Sequence, residues 1–151
     1  MQVHVRPFRK DIYDLVDEPS KKTLSDYLIS KGHTIVKDKE TFDADIVSTK
    51  DGFTYFNEVE VKSSWKDEWP EHWAEIRIPG RKRRLVEKYK DQNGVLNFYV
   101  LNKFMDKAWR IKDTLMTDDT LKVAVGRRIP KGETFFHIPY QEAELITLFK
   151  T

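Results

Sequence analysis

The chain has 151 residues, room for one domain around one hydrophobic core. Its 27 Lys and Arg nearly balance 25 Asp and Glu, giving a formal net charge of +2, so overall charge neither demands nor excludes a nucleic-acid partner. A 39% hydrophobic fraction with 13% aromatics argues against a disordered chain, and the lack of cysteine excludes disulfides, zinc–thiolate sites and a thiol nucleophile.

Residues 1–10 are polar and basic, unlike a signal peptide. No stretch approaches the roughly 20 apolar residues of a membrane span. The expectation is a soluble, cytoplasmic protein with no membrane partner, folded as one domain over 1–151.

In chain order, Asp17-Glu18-Pro19-Ser20 reads as a helix start, with acids and a proline in the opening turn. Leu24, Tyr27, Leu28 and Lys31 recur at helical spacing, and Gly32 ends the helix. Residues 33–36 suit a short strand. Residues 42–48 and 53–62 read as the arms of a hairpin turned by Lys50-Asp51-Gly52. The stretch from Trp65 to Trp73, rich in Trp and acid, resists assignment until Pro79-Gly80 breaks it. Residues 81–91 suggest a helix stopped by Asn93-Gly94, and 95–101 an apolar strand central in a sheet. Further strands are expected at 108–111, 121–125 and 134–138, and a closing helix at 140–149. The order helix, three strands, helix, strand predicts an α/β fold with a mixed central β-sheet flanked by helices.

The chemistry concentrates on the hairpin. Side chains alternate along a strand, so Glu58, Glu60 and Lys62 share one face while Val59 and Val61 face a core. Asp43 and Asp45 share a face of the other arm. Carboxylates gathered beside an ammonium suit a hard divalent cation, which takes oxygen ligands. The alternative is a solvated sheet face with cross-strand ion pairs. Acids are disfavoured in strands, yet four fall on this one hairpin, and the apolar residues around them suggest interior strands.

Arg77 and the run Arg81-Lys82-Arg83-Arg84 form a second signal. A helix dipole disfavours cations at its start. Phosphate contacts would explain them, with a solvated basic face as the alternative. Arg127, Arg128 and Lys131 flank a turn and extend such a track. Trp65, Trp69 and Trp73 suit base stacking or core packing equally. The four histidines, His4, His33, His72 and His137, show no zinc spacing.

Ala44-Asp45-Ile46-Val47 and Glu60-Val61-Lys62-Ser63-Ser64, preceded by the helix end Ser30-Lys31-Gly32 and its strand, resemble the core motif of the PD-(D/E)xK nuclease superfamily. The motif looks most like that of Holliday-junction resolvases. The similarity covers roughly residues 18–64, and Ala44 stands where that family usually has proline. The resemblance implies a restriction-endonuclease-like core and an Mg²⁺-dependent (or Mn²⁺-dependent) DNA endonuclease, a phosphodiester hydrolase. Asp45, Glu60 and Lys62 would be catalytic. Asp45, Glu60 and the Val61 carbonyl would hold metal, with Glu18 the match for a further helix acid one turn out of place. Arg77, Arg81, Lys82, Arg83 and Arg84 would contact DNA, and Arg81 or Lys82 would lie near the metals. The small size suits a stand-alone phage or mobile-element enzyme in its host's cytoplasm. A homodimeric junction-resolving enzyme and a nicking or restriction-like enzyme both remain open. So does a non-catalytic nucleic-acid-binding or protein-interaction module of the same fold.

Overall fold

A computed structural model describes residues 10–36, 44–89, 94–124, 129 and 131–149. Phe42, Asp43, Asp91, Asn93, Val125, Arg127 and Arg128 lie outside these residues, as does the basic N-terminal segment before Lys10.

The first helix, α1, spans Lys10–Ser30 and contains Pro19. The expected start at Asp17 is therefore corrected. Pro19 removes one backbone donor and tolerates helix on both sides of it rather than marking the first turn. The end is as the sequence indicates. Gly32 adopts φ +94°, the His33 amide donates to Leu28 O at 3.0 Å, and the Gly32 amide donates to Ile29 O at 3.0 Å. These two bonds are those of a Schellman cap, which satisfies the last carbonyls.

Two short strands, β1 (Thr34–Ile35) and β2 (Ile46–Lys50), precede the long β3 (Phe53–Lys62). Asp51 at φ 51° and Gly52 at φ 82° turn β2 into β3, the left-handed pair that a two-residue hairpin requires. The Trp-rich stretch leads into β4 (Glu75–Pro79), a 3-10 turn (Gly80–Lys82) and α2 (Arg83–Tyr89). Gly80 is obligatory there: a Cβ would lie 2.3 Å from Thr134 Oγ1 and 3.0 Å from Thr134 O. The helix starts later than the expected 81, its first residues being taken by the 3-10 turn, while residues 90 and 91 lie outside the described residues.

β5 (Gly94–Asn102) returns parallel to β3, and β6 (Lys107–Lys112) pairs antiparallel with it. After β7 (Leu121–Val123) and β8 (Thr134–Pro139), the expected closing helix is replaced by a 3-10 turn (Tyr140–Glu142) and β9 (Glu144–Thr147). Leu145, Ile146, Leu148 and Phe149 have helical spacing, but β6 offers an unpaired edge. Ile146 and Leu148 bury there while Leu145 stays 55% exposed, so strand pairing overrides local periodicity.

The chain is thus mixed α/β, with a mostly antiparallel central sheet of order β1-β2-β3-β5-β6-β9 and two helices among the described residues. A second sheet, β4-β8-β7, was not anticipated. On one face of the central sheet Leu24, Tyr27 and Leu28 of α1 pack against Ile46, Tyr99 and Leu101. On the other, Leu85 and Tyr89 of α2 and Ile76, Ile78, Phe136 and Ile138 of the small sheet cover Phe56, Leu96, Phe98 and Ile111. Burying each such side chain contributes about 1.5–3 kcal/mol. Asn102 closes β5: it is fully buried, its Nδ2 donates to Lys66 O and Asp106 Oδ1, and its Oδ1 accepts the Asp106 and Lys107 amides. One side chain thereby fixes both the β5–β6 turn and the start of the Trp-rich loop.

Candidate active site

The β2–β3 ladder begins at Ile46 opposite Asn57, which brings Asp45 opposite Glu58. Here side chains continue the ladder. The Asp45 amide donates to Glu58 Oε2 at 2.7 Å, and the Val59 amide donates to Asp45 Oδ2 at 3.0 Å. Glu58, Glu60 and Lys62 lie on the face of β3 that carries Phe56, toward α2 and the small sheet, as period-two alternation predicts.

Each carboxylate has an ammonium beside it. Lys21 of α1 lies 3.9 Å from Asp45 Oδ1. Lys82 donates to Glu58 Oε1 at 2.7 Å. Lys62 Nζ lies 3.1 Å from Glu60 Oε1, which is shielded from solvent and makes no hydrogen bond. Glu58 is only 4% exposed. Burial, and then the neighbouring Asp45 carboxylate, push its carboxyl above the ordinary value of 4.5, against the opposing pull of Lys82.

The closest partner of Asp45 is therefore Glu58, with Glu60 one pleat further along. Sequence reasoning placed Glu58 on the right face but gave it no role; its 13-residue offset from Asp45 across a tight turn was the available signal. Lys21 was missed, since nothing in the helix marks it. Glu18 is exposed on α1. Among the described residues no group of three or more His, Asp or Glu is gathered as a metal cluster.

The donor set nevertheless suits a hard divalent cation. Glu60 Oε1 is buried without a hydrogen bond, and Glu58 and Asp45 repel each other at close range. A divalent cation beside them would act on both in competition with Lys62, Lys82 and Lys21, which already neutralise them in part. The Val59 amide points to the β2 side. Backbone groups alternate along a strand, so the Val61 carbonyl points that way too, beyond Asn57 where the β2 ladder stops.

The basic residues divide. Lys82 turns to Glu58, and Arg83 pairs with Glu87 at 3.2 Å and Asp118 at 2.6 Å. These acids offset the cost of cations in the first turn. Arg81 is exposed, and so is Arg84, which has an interaction of its own. Arg77, exposed on β4, lines a cavity of about 410 Å³ with Lys62, Trp69, His72, Trp73 and Glu75. Trp65 is core, only 1% exposed. His33, whose Nδ1 lies 2.9 Å from Ser48 Oγ, is held below the ordinary histidine value by burial and then by Lys50.

The chain matches no protein-family model and no curated protein. No helix among the described residues is long and apolar enough to cross a membrane.

Proposed function

We propose that the protein is a Mg²⁺- or Mn²⁺-dependent DNA endonuclease with a restriction-endonuclease-like core, of the PD-(D/E)xK type. The observation that carries this reading is the row Asp45, Glu58 and Glu60, ending on Lys62, which lines a cavity. The element order supports it: a helix ending in Lys-Gly, a strand, and a hairpin with Asp before one arm and Glu-x-Lys at the end of the other. Asp45, Glu58, Glu60 and the Val61 carbonyl would hold the cation, which supplies Lewis-acid polarisation of the scissile phosphate.

The chain's own groups do the rest. Lys62, partly exposed, presents its ammonium to the incoming phosphate and offsets the charge that grows on its oxygens as water attacks phosphorus. One P–O ester bond breaks, leaving a phosphate monoester and a hydroxyl. Glu60 orients Lys62, and Lys82 holds Glu58 in place. Arg77, Arg81 and Arg84 attract the DNA backbone, with Arg83 supporting the turn that carries them. A cytoplasmic, phage-type enzyme acting as a homodimer on branched DNA fits this reading.

A second reading rests on one observation. Each carboxylate already has a lysine beside it, the arrangement of a non-catalytic nucleic-acid-binding or protein-interaction module that keeps the fold. Incubation with supercoiled plasmid and a four-way junction in Mg²⁺, Mn²⁺ or EDTA decides between them. Metal-dependent cutting supports the enzyme, and intact DNA under all conditions supports the module.

A further inference from the structure

The cavity beside Lys62 has a composition that phosphodiester hydrolysis alone does not call for. Trp69 and Trp73 stand edge to face at 5.1 Å and 80°, and His72 crosses Trp73 at 6.2 Å and 78°. Trp69 Nε1 donates to Trp73 O at 2.7 Å, and the Trp73 amide donates to Pro70 O at 2.9 Å. The first bond fixes the Trp69 ring, and the two together brace the backbone at Trp73. Trp69 is half-buried among Trp65, Trp109 and Tyr140, Trp73 is half-buried, His72 is exposed, and all three line the cavity. Arg77 and Lys62 supply two cations. Glu75 supplies an acceptor, its Oε1 lying 3.3 Å from His137 Nδ1. About 410 Å³ falls within the range of small-ligand sites, about 300–1,000 Å³.

An aromatic wall, two cations and one acceptor match a nucleotide: a π-face, a phosphate and exocyclic donors. A paired base hides its faces in the stack, so the ligand must be unpaired. We propose that this cavity takes one unpaired nucleotide of the DNA substrate, its base against Trp73 and His72 and its phosphate on Arg77 and Lys62. The proposal takes its ligand class from the nuclease reading, but it is measured by binding, not by cleavage. It assigns the protein a preference for DNA with single-stranded or distorted positions next to the cut.

The test is fluorescence anisotropy of the full chain in EDTA with three probes: a single-stranded oligonucleotide, the same strand with abasic positions, and a duplex. The intact strand should bind about tenfold tighter than the abasic one. Trp73→Ala and, independently, His72→Ala should erase that difference while changing duplex affinity less than about twofold. His72 is exposed, so its replacement leaves the fold in place. Equal affinity for intact and abasic strands overturns the proposal, as does an equal loss for all three probes or no binding at all. Base preference without cleavage in Mg²⁺ rejects the enzyme reading and keeps the subsite. Cleavage without base preference does the reverse.

Discussion

The Asp45 amide donates to the Glu58 carboxylate while the Asp45 carboxylate accepts the Val59 amide, so the open end of the hairpin is closed by side chains rather than by backbone. Two acids are thereby held next to each other in a largely buried place. Such an arrangement is costly unless cations compensate it, as Lys82 does for Glu58 and Lys21 does for Asp45.

The stability of the protein should report that cost as a function of pH. Glu58 holds its proton more tightly in the folded state than in the unfolded one, because burial and Asp45 raise its pKa. Its contribution is therefore full below about 4.5 and falls as pH rises through the higher folded value. Denaturation in EDTA should find the wild type losing ground to Glu58→Gln as pH rises above about 4.5. Mn²⁺ should narrow the gap, because it favours the ionised carboxylate. A pH-independent difference would mean that Glu58 is not strained.

Asn102 should be the most sensitive polar residue outside the site. Asn102→Ala strands the Asp106 and Lys107 amides and releases Lys66 O. Urea denaturation should show a loss of about 2–4 kcal/mol, accompanied by a change in tryptophan emission from the adjoining loop. A loss below about 0.5 kcal/mol would contradict the anchoring role.

The hairpin and the first helix's end were legible because local rules suffice there. Glycine takes the positive φ at Gly32 and Gly52, and period-two alternation put Glu58, Glu60 and Lys62 on one face. What local rules missed was decided by distant partners. Residues 144–149 carry helical spacing, but 144–147 became β9 because β6 had an open edge. The strand Glu75–Pro79 did alternate, with Ile76 and Ile78 inward and Arg77 outward, yet the neighbouring tryptophans masked it. The pairing of Lys82 with Glu58 spans 24 residues and depends on how α2 docks, which no spacing encodes.

That pairing separates the basic residues experimentally. Arg81→Gln with Arg84→Gln should weaken DNA binding and make the log–log salt dependence shallower by about one for each phosphate that is no longer neutralised. Lys82→Met should instead lower stability by uncovering Glu58, and should leave the salt slope nearly unchanged. Affinity titrations across salt concentrations check both. An unchanged slope in the double variant would make Arg81 and Arg84 a solvated face.

Asp45→Asn keeps the acceptor for the Val59 amide and removes one charge. It should abolish Mg²⁺-dependent cutting while leaving stability within about 1 kcal/mol, and DNA affinity in EDTA should hold or rise. Thermal unfolding and anisotropy read these two effects separately. Cutting at the wild-type rate would remove Asp45 from the site.

The most direct measurement is the initial rate of supercoiled-plasmid nicking in Mg²⁺ by the wild type and by Lys62→Ala, with DNA affinity measured alongside. A nuclease built on Lys62 should show metal-dependent nicking that falls by on the order of 100-fold or more in the variant, with affinity nearly preserved, because the ammonium acts on charge that develops during the reaction. Equal nicking by both proteins, or none by the wild type in Mg²⁺ or Mn²⁺, would contradict it.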